Sequence, residues 1–178
     1  MPNPIIFAMK IPKYIEFHNN TNCVLSRFLK AADPEEGCSI LIGKTNNSAK
    51  NHKRNIWEVT HIWNCRNIWG EQDSKLIYQN IRAFSNPRNM QLSKNNRFEV
   101  DAKDQIASYK WARDNDLEIL CCAHSHPLGE NKPSEIDLFL QQTPGLMVIS
   151  NMDGDLKAWW IQNKLNFHNV KIEIFSLT

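Results

Sequence analysis

The stretch Glu118–Pro127, "EILCCAHSHP", constrains this chain more than any other. Residues 118–124 read as a β-strand, and a strand sends residues i and i+2 to the same face. If that strand runs on through His126, then His124 and His126 present their imidazoles side by side. A loop stiffened by Pro127 and Pro133 follows, and then Ser134 with Asp137 three residues on. Ser134 and Asp137 have the spacing of a helix capping box, for a helix running to about Gln142. One reading is therefore a strand end, a loop and a capped helix. The other is a metal site laid out along the chain, with Asp137 folded back towards the histidines from the first helical turn. Two histidines and one carboxylate leave a fourth position open, which is the pattern of a catalytic zinc rather than a structural one. The two readings are compatible.

The rest of the chain alternates strand and helix signals without a regular βαβ repeat, which predicts an α/β fold with a mixed sheet flanked by helices. "PIIFAMKI" (4–11) is β-prone enough for a first strand. Tyr14, Phe17, Val24, Phe28 and Ala32 recur at loosely helical spacing, predicting a helix from Pro12 to Ala32, stopped by Asp33-Pro34. Within it the Asn-rich "HNNTN" (18–22) is unfavourable, because Asn competes for its own backbone. "CSILIGK" (38–44) and "NIWEVTHIWNC" (55–65) read as strands joined by a polar loop that carries the basic run Lys50 to Arg54. Residues 66–95 look like an atypical insertion in what is otherwise one domain spanning 1–178, with a short helix at 75–84. A connection of that length is often functional. "RFEV" (97–100) is extended. A helix over 101–117 is capped by Asp101 and turns Ile106, Tyr109, Trp111 and Ala112 to one face. Strands at 146–150 and 155–162 flank a hairpin turn at "MDG" (152–154), and "NVKIEIFSL" (169–177) forms the last strand.

Lys plus Arg number 21 against 19 acids, and a net charge of +2 gives no basis for a nucleic-acid surface. Five cysteines, an odd number without paired spacing, predict free thiols in a reducing cytoplasm. The apolar run Ile5–Met9 is too short for a signal-peptide core, and nothing approaches the ~20 apolar residues of a membrane helix. The expectation is a soluble cytoplasmic protein.

Written as H-x-H-P-x₆-P-S-x₂-D, residues 124–137 resemble the signature of the JAMM/MPN metalloproteases, zinc isopeptidases that act on ubiquitin and ubiquitin-like proteins. That family also carries an upstream glutamate in a context like P-x-E-x-C-G-x-L-x-G, and "PEEGCSILIGK" (34–44) supplies it at Glu36. "NRFEVDAKDQIASYKWARDNDLEILCCAHSHP" (96–127) is similar to the family's run from an "FEID" segment through a helix to the "HSHP" strand. Ser39 stands where the pattern has Gly, and Cys121 and Cys122 stand where it has Gly and an aromatic. In a strand Cys122 shares a face with the two histidines, so it is either a further metal ligand or a small buried hydrophobe, and the second reading is favoured. Cys121 faces the core.

The resemblance implies a cytidine-deaminase-like MPN fold and one Zn2+ held by His124, His126 and Asp137. It gives Glu36 the role of general acid/base and Ser134 that of donor to the oxyanion. Compact prokaryotic members are the most similar. They imply cleavage after the C-terminal Gly-Gly of a ubiquitin-like or sulfur-carrier protein, with the substrate tail laid along a sheet edge. A non-catalytic MPN scaffold and a DNA-repair-associated branch are the alternatives. The complete residue set argues against the first. Near-neutral charge and the "PEEGCSILIGK" match argue against the second.

Overall fold

The computed structural model describes residues 11–46, 55–71 and 92–175. The strand read at 4–11, the basic run at 50–54 and the helix read at 75–84 lie outside the described residues, apart from Ile11. No helix among the described residues is long and apolar enough to cross a membrane.

Strands β1 (Tyr14–His18), β2 (Cys38–Asn46), β3 (Ile56–Cys65), β4 (Glu118–Ser125), β5 (Gly145–Ser150), β6 (Leu156–Asn163) and β7 (Asn166–Phe175) accompany helices α1 (Thr21–Ala31), α2 (Ala102–Asp114) and α3 (Glu135–Leu140). The sheet is mixed, as expected, with order β1-β3-β2-β4-β5-β6-β7. It then closes into a barrel through parallel pairing of β7 with β1. Closure needs a strand at Tyr14–His18, and here the expected helix from Pro12 to Ala32 is corrected. Asn19 and Asn20 both adopt left-handed backbone, with φ of 52° and 58°, which no right-handed helix can pass through. The strand before them alternates, burying Ile15 and Phe17, while α1 after them buries Thr21, Leu25 and Leu29 at i, i+4 spacing. Val24, assigned to the buried face by the longer periodicity, is 39% exposed.

The barrel interior is packed by Ile15, Phe17, Trp57, Val59, Leu41, Cys121, Ala123, Val148 and Trp160, with Leu25 and Leu29 of α1. Cys38, Ile40 and Ile42 point the other way, into a second layer with Cys65, Val100 and Ala112 of α2. β2 is therefore covered on both faces, which is why "CSILIGK" reads as a continuous apolar run rather than an alternating one. α2 starts at its expected cap, where the Asp101 side chain accepts from the Lys103 N–H. Its inward face is half as expected: Ala112 is buried and Trp111 packs on the sheet, but Ser108 is buried too, whereas Ile106 and Tyr109 are 72% and 60% exposed. Small residues let α2 approach a sheet surface already filled by Ile40, Ile42 and Trp63. Gly43 is needed where β2 bulges against β3, since a Cβ there would lie 1.7 Å from the Glu58 carbonyl oxygen.

Candidate metal centre

β4 runs down the middle of the sheet between β2 and β5, so its C-terminal end is held on both sides. His124, paired with Cys38 on β2 and Ile149 on β5, is fully buried. His126 lies just past the strand. Its N–H bonds to the Ser150 carbonyl at 2.8 Å, which extends the alignment by the step needed to put both rings on one side. The Nε2 atoms of the two rings are 3.0 Å apart. Asp137 Oδ2 lies 3.6 Å from His124 Nε2 and 3.3 Å from His126 Nε2. One donor atom from each residue thus falls within 4.8 Å of the others, and this trio could hold a metal ion.

Both readings of Ser134–Asp137 hold at once. Ser134 Oγ accepts from the Asp137 N–H at 3.2 Å, and the Ser134 N–H donates to Asp137 Oδ2 at 2.7 Å, a complete capping box at the start of α3. The same carboxylate oxygen faces the histidines. The cap therefore aims the ligand. Because Ser134 Oγ is an acceptor in that bond, its own proton is free to point into the site.

A main-chain carbonyl sets the tautomer of one imidazole. His126 Nδ1 is 2.8 Å from the Glu130 carbonyl, which can only accept, so Nδ1 carries the proton and Nε2 offers its lone pair. Burial lowers the affinity of His124 for a proton, with Asp137 opposing, and its ring stacks on Phe98 with centroids 4.5 Å apart. Burial also pulls His126 down, but its hydrogen bond to Asp137 and that carboxylate's charge outweigh it, and its pKa is raised. Burial would raise Asp137, yet the charges and hydrogen bonds of the two histidines hold it well below the carboxylate range. Two imidazole lone pairs 3.0 Å apart repel unless a proton or a cation lies between them. Two nitrogens and a carboxylate oxygen suit zinc and leave a coordination position open. The donor set fits the metal.

Glu36 sits immediately before β2, 4% exposed, and is pinned by three segments. Its N–H donates to the Lys94 carbonyl at 2.6 Å, and its carbonyl accepts from Asn67 Nδ2 at 2.9 Å. The next residue, Gly37, exchanges bonds with Ser125 at 2.8 and 3.0 Å. A Cβ on Gly37 would lie 2.8 Å from the Leu29 carbonyl oxygen, so only glycine lets α1 pass this close. Burial pushes the Glu36 carboxyl up to about 8; His126 and Arg97 act against it and Asp137 with it. It is a carboxyl poised to exchange protons near neutral pH.

Sequence reasoning missed three residues here. Asn67 is buried and makes four bonds. Its Nδ2 donates to the carbonyls of Glu36 and Arg97 at 2.9 and 3.0 Å, and its Oδ1 accepts from the N–H groups of Trp69 and Glu99 at 3.0 and 3.2 Å. It ties segment 94–100 to Glu36, and so places Arg97 and Phe98 beside the metal trio. The one sequence signal for them is a basic residue opening "RFEV". Cys122 departs from expectation: it is exposed rather than a packed hydrophobe, and it lies outside the trio, whereas Cys121 is buried in the core as expected. Ser39 is fully buried on the face opposite Cys38, with its hydroxyl unpartnered. Among the described residues the other metal-compatible group is Glu16, His18 and Glu58, partly exposed on the outside of the barrel.

A zinc-type trio at the end of a central strand, with a buried carboxyl beside it, defines a metallohydrolase-like centre on a mixed α/β barrel. The chain belongs to the prokaryotic homologs of the JAB domain, whose family model matches residues 20–162. It is 31% identical over 78 residues to Desampylase of Pyrococcus furiosus, a match that covers 43% of this chain and 56% of that protein. The chain thus spans little more than half the length of that relative. In fold it is similar to the solution structure of a Desulfitobacterium hafniense protein, with a TM-score of 0.68, 18% identity, and coverage of 92% of this chain and 94% of that one. A Salinibacter ruber protein gives a TM-score of 0.59 at 22% identity, covering 90% and 92%.

Proposed function

We propose that this chain is a zinc-dependent peptidase that cleaves after the C-terminal Gly-Gly of a ubiquitin-like or sulfur-carrier protein. The observation that carries this is the convergence of His124, His126 and Asp137 within 4.8 Å at the rim where the buried Glu36 stands. The similarity to Desampylase and the family membership support it. Zinc bound by His124 Nε2, His126 Nε2 and Asp137 Oδ2 would polarise the scissile carbonyl and acidify water. Glu36 takes the proton of the attacking water and delivers it to the leaving amine as the C–N bond breaks. The raised pKa of Glu36 suits both halves of that transfer. The Ser134 hydroxyl donates a hydrogen bond to the oxyanion, while the bond it accepts keeps α3 capped. Arriving through a reducing cytoplasm, a substrate tail would meet no free sheet edge among the described strands, because the barrel closes. The segment around Phe98, which stacks on His124, is the proposed seat for that tail.

The test is turnover of a ubiquitin-like carrier extended beyond its Gly-Gly, with zinc content measured alongside. Wild type should cleave and bind metal. Glu36→Gln should keep the metal and lose ~10²–10⁴-fold in rate. His126→Ala should lose the metal as well. Tight binding of the carrier without cleavage by any metal-loaded form would replace the peptidase with a scaffold.

A further inference from the structure

Arg97 is 9% exposed, yet among the described residues no carboxylate touches its charge. Its Nη1 donates to the neighbouring Asn96 carbonyl, its Nε–H has no partner, and no carboxylate among the described residues forms an ion pair with it. A buried guanidinium left this way is costly, and it persists in a fold only if something else holds it or something else uses it. What holds it is Asn67, which grips the Arg97 and Glu36 carbonyls with one amide. Phe98, the next residue, stacks on His124. The Arg97 main chain is therefore anchored at the wall of the same site, one amide away from Glu36, and its charge acts on Glu36, Asp137 and His124.

Charge bookkeeping says what it is for. Asp137 and an ionised Glu36 together balance one divalent cation, so Arg97 leaves the loaded site with one positive charge to spare. Hydrolysis of an amide places one negative charge on the substrate, first on the oxyanion and then on the freed carboxylate. Resting on the peptidase reading above, we propose that Arg97 is a further catalytic residue. Its guanidinium receives the reacting carbonyl oxygen of the terminal glycine and, after cleavage, holds the Gly-Gly carboxylate. Ser134 and Arg97 then supply a neutral and a charged donor to one oxygen. Water adds to the carbonyl carbon as Glu36 takes one of its protons, and Glu36 gives that proton to the nitrogen as the C–N bond breaks. The acid so formed passes its remaining proton to the freed amine, and the carboxylate remains against Arg97.

The test uses zinc-loaded full-length protein and two probes, acetyl-Gly-Gly with a free carboxylate and its neutral amide, measured by calorimetry for wild type, Arg97→Lys and Arg97→Gln. Melting temperatures and zinc content identify any variant that fails to fold or load, and Arg97→Lys supplies a milder change if Arg97→Gln does. Wild type should prefer the acid at least tenfold. Arg97→Gln should lose that preference without changing amide affinity, and Arg97→Lys should keep part of it. In turnover, Arg97→Gln should lose about 10²-fold in kcat, with a smaller change in KM. Equal binding of acid and amide by wild type, or an unchanged preference in Arg97→Gln, overturns the proposal even if the protein cleaves its substrate. An acid preference that depends on Arg97 in a protein that cleaves no Gly-Gly extension supports the anion site and removes the peptidase reading.

Discussion

Replacing Glu36 with Gln should stabilise the metal-free protein by an amount that grows from about pH 5 and levels off above about pH 8. Burial raises this carboxyl from its ordinary 4.5 to about 8. In the unfolded chain it ionises near 4.5, so between the two values the folded state holds a proton that the unfolded state has released. Stability contributed by this group is thus present below pH 4.5 and is lost as pH rises towards 8. At about 1.4 kcal/mol per pH unit, the gap corresponds to roughly 4–5 kcal/mol as a ceiling. Gln is neutral and has the shape of the protonated acid, so Glu36→Gln avoids that loss. Chelator-treated wild type and Glu36→Gln, unfolded by heat or urea, should match near pH 5. By pH 9 the variant should lead by ~2–5 kcal/mol, some 4–20 °C in Tm for a chain of this size. Zinc should shrink the gap, because a neighbouring cation favours the ionised carboxylate. A gap that is the same at both pH values, or that favours wild type at pH 9, would refute a base held neutral by burial. Asp137 shows the opposite sign. Its folded pKa is depressed, so its contribution is present above the ordinary carboxylate value and is lost only in acid.

Asn67→Ala leaves two buried carbonyls and two buried N–H groups without their partner, and should cost ~3–6 kcal/mol in urea unfolding after partial repair by water. Asn67→Asp keeps the two acceptor bonds but faces two carbonyls with a carboxylate, so it should be no better; a cost below about 1 kcal/mol in both would mean that the clamp is not structural. Cys122→Ala should retain the metal content of wild type, as measured by atomic emission, because Cys122 is exposed and outside the trio. Loss of metal in that variant would put Cys122 in the coordination sphere.

The sequence by itself determined what local chemistry controls. His124 and His126 share a side because a strand repeats every two residues, and Ser134 with Asp137 make a capping box because a helix start leaves N–H groups to satisfy. Together with Glu36 they made the family legible, and β2, β3, β4, β5 and β6 lie within two residues of where periodicity and turn signals put them. Only the tertiary structure decided what depends on segments distant in the chain. Tyr14–His18 is a strand because β3 and β7 offer it partners on both sides, and two asparagines with left-handed backbone cut it from α1. Ile106 and Tyr109 face outward because α2 turns Ser108, Ala112 and the partly buried Trp111 to the sheet instead. The raised pKa of Glu36, the four-way grip of Asn67 and the burial of the Arg97 charge have no local signature at all. Each arises from burial and from contacts between residues about thirty to a hundred positions apart, and desolvation is a property of the packed whole rather than of any motif.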